Sequence, residues 1–133
     1  ILAGYEDDIK RLMSQNQGLP NRFPEDGRFI LSNYTDEDLA EMLFRRQNNR
    51  IRLSEECRPL AIDYFSKERQ KKAAANDPSK PFGNAREVDT LLGKLKTSSN
   101  KRYRRASEEQ QADTIFASLI LPEDFPNYNT SLA

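Results

Sequence analysis

Apolar residues recur at helical spacing in the middle of the chain and predict three helices between residues 35 and 105. Each block places its apolar residues on one helical face. The three faces consist of Leu39, Met42 and Leu43; Cys57, Leu60, Ala61, Tyr64 and Phe65; and Val88, Leu91, Leu92 and Leu95. Because each helix must bury its face and the connections are short, the pattern predicts a mainly α protein, a small antiparallel helical bundle.

Capping signals give the boundaries of the first two helices. Thr35 is the predicted N-cap of the first, and Asp38 stands where the second partner of a capping box belongs. Ser54 is the predicted cap of the second helix, which runs to about Ala74. Pro59 leaves a second start open, because proline lacks a backbone N–H and is favoured in the first turn of a helix.

The third helix begins after Asn84, with Glu87 as the reciprocal capping partner, and extends to Arg105. On either side of the bundle the pattern is different. Ile1–Tyr5 reads as the end of a buried strand, Glu6–Gln15 as a short helix and Arg28–Leu31 as a short strand, whereas residues 115–121 fit a strand or a packed tail.

The composition narrows the range of functions. Lys and Arg total 21, as do Asp and Glu, so no net charge draws the 133-residue chain to nucleic acid or to a membrane. Cys57 is the only cysteine and histidine is absent, which excludes an internal disulfide and does not favour any metal site. A lone cysteine favours an intracellular, cytoplasmic location, with the nucleus as the alternative.

Arg86 is the first candidate for chemistry, because it lies in the first turn of the third predicted helix. The helix dipole disfavours a cation there by roughly 0.3–1 kcal/mol. A facing anion such as a nucleotide phosphate would explain the arginine. The alternatives are an exposed side chain or an ion pair with Glu87 or Asp89.

Arg22 is the second candidate, at the end of a loop over residues 16–24 that contains glycine and two prolines. A rigid loop can present a guanidinium to a neighbour's phosphate, although a loop arginine with no role fits equally. A third set comprises the basic ends of two helices: Lys67, Arg69, Lys71 and Lys72, then Lys94, Lys96, Lys101, Arg102, Arg104 and Arg105. Such ends are commonly solvated. Ser107, after Arg104-Arg105-Ala106, has a basic context suited to phosphorylation.

Four segments occur in the order and spacing of a known family. They are Leu2-Ala3-Gly4-Tyr5, Asn16-Gln17-Gly18-Leu19-Pro20-Asn21-Arg22-Phe23, Asn33-Tyr34-Thr35 and Phe82-Gly83-Asn84-Ala85-Arg86. Together they resemble the C-terminal half of an AAA+ ATPase, most of all the subgroup that contains red-type Rubisco activase and stage V sporulation protein K. The resemblance covers about residues 1–106.

The resemblance implies a role for each candidate residue. Arg22 would be an arginine finger acting in trans, and Arg86 would be sensor 2, with Gly83, Asn84 and Tyr5 also near the nucleotide. It further implies ATP and Mg²⁺ in the parent protein, neither bound by this chain alone. The implied partners are neighbouring subunits of a ring, typically a hexamer, and a protein substrate; nucleic acid and membranes are not favoured.

The same resemblance divides the chain into a remnant of the large α/β domain (1–25), a helical lid (26–106) and an extended tail (107–133). The chain has neither a Gly-x-x-x-x-Gly-Lys-Ser/Thr phosphate loop nor a strand ending in paired acids, so we expect no hydrolysis by the chain alone. The expected function is to sense ATP and couple its hydrolysis to remodelling of a protein. The alternative is an autonomous helical module that binds an acidic protein or RNA through its basic helix ends.

Overall fold

The computed structural model describes residues 1–77 and 79–131, and the chain divides after residue 33 into two compact units. Pro78, in the predicted loop before the third helix, and Leu132 and Ala133, in the predicted tail, lie outside the described residues. The prediction of a mainly helical protein is confirmed. The proposed division at residues 25 and 106 stays a prediction.

The first unit contains two short helices, α1 (Glu6–Gln15) and α2 (Leu19–Arg22), followed by a 3₁₀ turn at Glu25–Gly27. Helix α1 has the predicted bounds, and three acidic residues in its first turn suit the helix dipole. No buried residue lies in either helix.

The strands predicted at Ile1–Tyr5 and Arg28–Leu31 are wrong for this structure, because neither segment is a strand. Phe29, Ile30 and Leu31 are 89%, 75% and 92% exposed. A strand needs a hydrogen-bonded neighbour and an apolar layer over its face, and residues 1–33 provide neither for these segments.

The second unit is built on three helices: α3 (Asp36–Arg45), α4 (Cys57–Ala75) and α5 (Ala85–Arg105). Helix α3 packs against both α4 and α5. The core consists largely of the predicted apolar faces, with Leu39, Leu43, Phe65, Val88, Leu91 and Leu95 fully buried. The predicted helical bundle is therefore confirmed.

The start of α3 is the predicted capping box. Thr35 Oγ1 accepts from the Asp38 N–H at 3.1 Å, and Asp38 Oδ2 accepts from the Thr35 N–H at 3.2 Å. Helix α4 is different, because its side-chain cap is missing and it begins at Cys57 instead of at Ser54 or Pro59. Pro59 is tolerated because N–H groups in the first turn have no partner within the helix.

Residues 108–131 pack against α4 and α5. They form α6 (Glu108–Ala112), α7 (Thr114–Ser118), strand β2 (Leu119–Ile120), a 3₁₀ turn at Pro122–Asp124 and α8 (Tyr128–Ser131). Strand β2 pairs in parallel with β1 (Arg52–Leu53), in the register Arg52 with Leu119 and Leu53 with Ile120. Residues 115–121 are thus part helix and part strand.

Cys57 lies beneath this pairing. Its side chain is fully buried, and its Sγ lies 3.6 Å from the Ile120 carbonyl oxygen. Burial raises the pKa of the Cys57 thiol. The thiol therefore serves as a core residue.

Within the described residues, no helix is both long enough and apolar enough to cross a membrane.

Candidate functional site

The loop that leads into α5, residues 82–84, is held by side-chain hydrogen bonds and is called the entry loop below. Asn84 has φ 50° and ψ −116°, a conformation that only glycine adopts easily. Its Oδ1 does not cap α5 but accepts from the Tyr34 N–H at 3.1 Å. The predicted side-chain cap by Asn84 is therefore wrong, and its side chain joins the entry loop to Tyr34, two residues before α3.

Glu87 also has a different partner from the one predicted. Its Oε1 accepts from the Gly83 N–H at 3.2 Å, one residue earlier than a capping box requires. A Cβ on Gly83 would lie 3.1 Å from Arg86 Cβ and 3.2 Å from that oxygen. Glycine at position 83 thus permits the close approach of the entry loop to Arg86 and Glu87.

Arg69 on α4 braces the same loop. Its guanidinium donates to the Tyr34 carbonyl at 2.7 Å and to Asp36 Oδ1 at 3.0 Å, and it lies 4.4 Å from the centre of the Phe82 ring. Sequence reasoning placed Arg69 in a solvated basic run and missed this role. Its spacing is the signal that could have revealed this role. Arg69 follows the buried residues Ala61 and Phe65 at intervals of four, which places it on the face of α4 that packs against the rest of the bundle.

Arg86 is the second residue of α5, and its side chain is exposed. The two acids considered as its partners are bound elsewhere, Glu87 to Gly83 and Asp89 to Arg46. Within residues 1–77 and 79–131, the Arg86 guanidinium has no hydrogen bond or ion pair. It is a cation at the positive end of a helix, and neither Glu87 in the same turn nor Asp89 pairs with it.

Arg22 is the last residue of α2, so the predicted loop over residues 16–24 includes a turn of helix. Its side chain is exposed, and the part of the chain that the structure describes offers it no polar partner. The next residue is fixed, because Arg28 donates from Nε and Nη2 to the Phe23 carbonyl at 3.2 and 3.1 Å. Arg22 thus lies on a short braced segment.

Tyr5 belongs to the same unit as Arg22. It stands directly before α1, where its carbonyl accepts from the Ile9 N–H at 2.9 Å. The ring is exposed, and the described residues give its hydroxyl no hydrogen bond.

A comparison with protein families identifies the second unit. Residues 35–132 match the family model described as the AAA lid domain. The chain belongs to the AAA lid domain family. The match begins at the N-cap of α3 and continues past residue 106, so it takes in the segment that packs on the bundle through β2 and α8. Comparisons with curated proteins and with solved structures found no match.

Several basic residues of the lid are occupied internally. Lys67 pairs with Asp63 at 2.9 Å, Lys71 pairs with Glu68 at 2.7 Å, and Lys94 donates to the Tyr64 hydroxyl at 3.1 Å. Arg102 binds the buried Asp124. The basic helix ends therefore present fewer available cations than their sequence suggests.

Among the residues described, no three acidic or sulfur side chains are grouped for metal binding.

The geometry of the lid's entry loop leads to a prediction at Asn84. We expect Asn84→Ala to lower the free energy of unfolding by about 1–3 kcal/mol, because alanine does not readily adopt this conformation and loses the bond to Tyr34. Asn84→Gly should cost only about 1 kcal/mol, since glycine accepts the backbone angles. Urea denaturation measures the free energy of unfolding of both variants. Equal losses would mean that the backbone conformation carries no cost.

Proposed function

We propose that residues 34–131 act as the nucleotide-responsive lid of an AAA+ ATPase, with Arg86 as the sensor 2 residue that binds the γ-phosphate. The single observation that carries the proposal is the state of Arg86, exposed at the N-terminal end of α5 with its neighbouring acids engaged elsewhere. A phosphate would supply the missing negative charge, and a guanidinium binds phosphate through two parallel hydrogen bonds.

The residues around Arg86 fit this ligand. The helix end also offers a positive dipole to an anion. The Arg86 and Glu87 N–H groups are used within the chain, since they donate to the Gly83 and Asn84 carbonyls at 3.0 and 2.9 Å. Gly83 and Asn84 hold that end in place through their bonds to Glu87 and Tyr34. Tyr5 belongs to the other unit, and its proposed role as a polar sensor 1 residue follows from the resemblance alone.

ATP and Mg²⁺ are the proposed cofactors of the whole protein, and ATP supplies a phosphoanhydride bond whose hydrolysis releases energy. The chain itself has no phosphate loop, so these ligands require the large ATPase domain of the parent. The role of the chain's own residues is to bind and report the terminal phosphate.

The bracing of the entry loop supports coupling between nucleotide and lid motion. Arg69 contacts Phe82 in the loop and the carbonyl of Tyr34, and Asn84 contacts the Tyr34 N–H. Tyr34 is the residue at which the second unit begins. A phosphate that repositions Arg86 would therefore act on the start of the lid through direct contacts. We propose that this movement drives remodelling of a protein substrate.

Arg22 is the proposed arginine finger, which reaches the nucleotide of the next subunit. This role requires a ring of subunits, for which we propose a hexamer. Its support is the exposed guanidinium after a braced helical turn. The arginine loops resemble most the subgroup of red-type Rubisco activase and stage V sporulation protein K, and we propose membership of that subgroup.

The experiment uses the full-length protein that carries this chain. Arg86→Ala should lower the turnover number for ATP about 10²-fold, the loss typical when one preorganised donor to a reacting group is removed. Arg105→Ala at the other end of α5 is the matched control and should retain turnover. Arg86→Lys should have a turnover number between those of Arg86→Ala and the wild type, because lysine keeps the charge but lacks the planar guanidinium that binds phosphate through two hydrogen bonds. Full activity of Arg86→Ala would refute the sensor role.

A further inference from the structure

Ser107 occupies the joint between the long helix α5 and the short helix α6. Its side chain is exposed and its polar contacts are local: Oγ accepts from the Gln110 N–H at 3.3 Å and lies 3.4 Å from Gln110 Oε1. Ala106 (φ −73°, ψ 158°) and Ser107 (φ −65°, ψ 160°) are extended. An accessible hydroxyl on extended backbone is what a protein kinase requires of its substrate.

The arginines before Ser107 are available for recognition. Arg104 and Arg105 precede it by three and two residues, and both side chains are exposed. Neither has a hydrogen bond or ion pair with the described residues, in contrast to Arg102, which is bound to Asp124. Two free guanidinium groups at this spacing suit an enzyme that reads cations with carboxylates.

We propose that Ser107 is a phosphorylation site for an arginine-directed serine/threonine kinase that uses MgATP. The Ser107 oxygen attacks the γ-phosphorus, a new O–P bond forms, and the bond between that phosphorus and the β,γ-bridging oxygen breaks. ADP leaves, and the hydroxyl proton passes to the catalytic aspartate of the kinase. The product places a charge of about −1.5 to −2 beside Glu108 and Glu109.

The surrounding structure opposes access only weakly. Helix α6 is five residues long and contains no buried residue. The contacts that tie it to α5 are polar, from the Tyr103 hydroxyl to the Gln111 carbonyl at 3.0 Å and from Gln111 Nε2 to the Tyr103 carbonyl at 3.0 Å. Helix ends with few buried contacts open at small free-energy cost, so a kinase can extend the segment around Ser107.

Ser54 is an internal comparison, because it also follows two arginines, Arg50 and Arg52. In the fold, however, Ser54 is partly buried, its N–H donates to the Ile120 carbonyl at 3.3 Å, and its Oγ lies 3.6 Å from Cys57 Sγ. Arg50 and Arg52 precede Ser54 by four and two residues, so a kinase that needs only two arginines close before a serine would modify both serines of an unfolded chain. One that acts on the folded chain would modify Ser107.

The test incubates the folded 133-residue chain with MgATP and the catalytic subunit of cyclic-AMP-dependent protein kinase, and locates phosphate by peptide mass spectrometry. We expect phosphate on Ser107 and on threonine in Ser107→Thr, and none at position 107 in Ser107→Ala. The double variant Arg104→Ala/Arg105→Ala should react at least about tenfold more slowly, since both charge-assisted contacts are lost. The matched variant Arg50→Ala/Arg52→Ala should react at the wild-type rate.

A peptide of residues 101–112 shows whether the sequence itself is a substrate. Phosphorylation of the peptide but not of the folded chain would overturn the proposal, as would phosphate on Ser54 with Ser107 unmodified. Phosphorylation of the Arg104→Ala/Arg105→Ala variant at the wild-type rate would also overturn the proposal. The assay does not depend on the ATPase proposal, because it needs no activity of the chain.

Discussion

Replacing Arg22 with alanine should lower ATP turnover by the full-length protein on the order of 10³-fold, the lower end of the effect of removing an arginine finger. The guanidinium is exposed at the end of α2, and the adjoining Phe23 carbonyl is held by Arg28. A side chain presented in this way can stabilise the charge that develops on a neighbour's phosphate. Steady-state phosphate release is the measurement.

The control for Arg22→Ala is Arg11→Ala. Arg11 is an exposed arginine of the same unit and lies 3.7 Å from Asp8. The Arg11→Ala variant should keep the wild-type ATP turnover, because exposed ion pairs contribute little to stability. Turnover of Arg22→Ala within about twofold of wild type, far from the loss expected for a finger, would contradict the role in trans. Nucleotide affinity should change little, since an arginine finger would act on the charge that develops in the transition state more than on the bound nucleotide.

Arg102→Ala should lower the free energy of unfolding of the 133-residue chain by about 3–5 kcal/mol, because it leaves a buried carboxylate without its cation. Arg102 is 16% exposed and Asp124 is 3% exposed. Their atoms pair at 2.9 and 3.1 Å, and Arg102 Nη2 also donates to the Leu119 carbonyl at 2.6 Å. The arginine thus fixes strand β2 and the following turn to α5. Urea unfolding makes the measurement.

Two further variants test whether the loss of stability in Arg102→Ala comes from the unpaired buried carboxylate or from any substitution in the last turn of α5. Arg105→Ala, exposed in the same last turn, should cost less than about 0.5 kcal/mol. The double variant Arg102→Met/Asp124→Leu should recover much of the stability, because apolar replacements remove both charges. If Arg102→Ala were as mild as Arg105→Ala, the contact would not hold residues 119–124 in place.

The sequence predicted the bundle well because its signals are local. Apolar spacing placed the faces of α3, α4 and α5, and the Thr35 and Asp38 pair gave the start of α3. These features depend on residues within a few positions of each other, so periodicity and capping rules suffice.

Long-range contacts could not be predicted in this way. Arg69 and Arg102 read as solvated basic residues, yet one braces Tyr34 and the other binds Asp124, 35 and 22 positions away. Asn84 has a residue type that caps helices, but its oxygen is used by Tyr34, 50 positions away. The sequence alone indicates Arg22, Arg86, Gly83 and Asn84 as candidates, whereas the contacts that position them depend on the fold.

The most direct test of the central claim is the affinity of the full-length protein for ADP and for a non-hydrolysable ATP analogue, measured with Arg86 and with Arg86→Ala. A sensor of the γ-phosphate contacts a group that only the triphosphate carries. We therefore expect Arg86→Ala to weaken analogue binding by about tenfold or more, the effect of losing a charge-assisted contact. ADP binding should stay unchanged. Equal weakening for both nucleotides, or no weakening for either, would contradict the account.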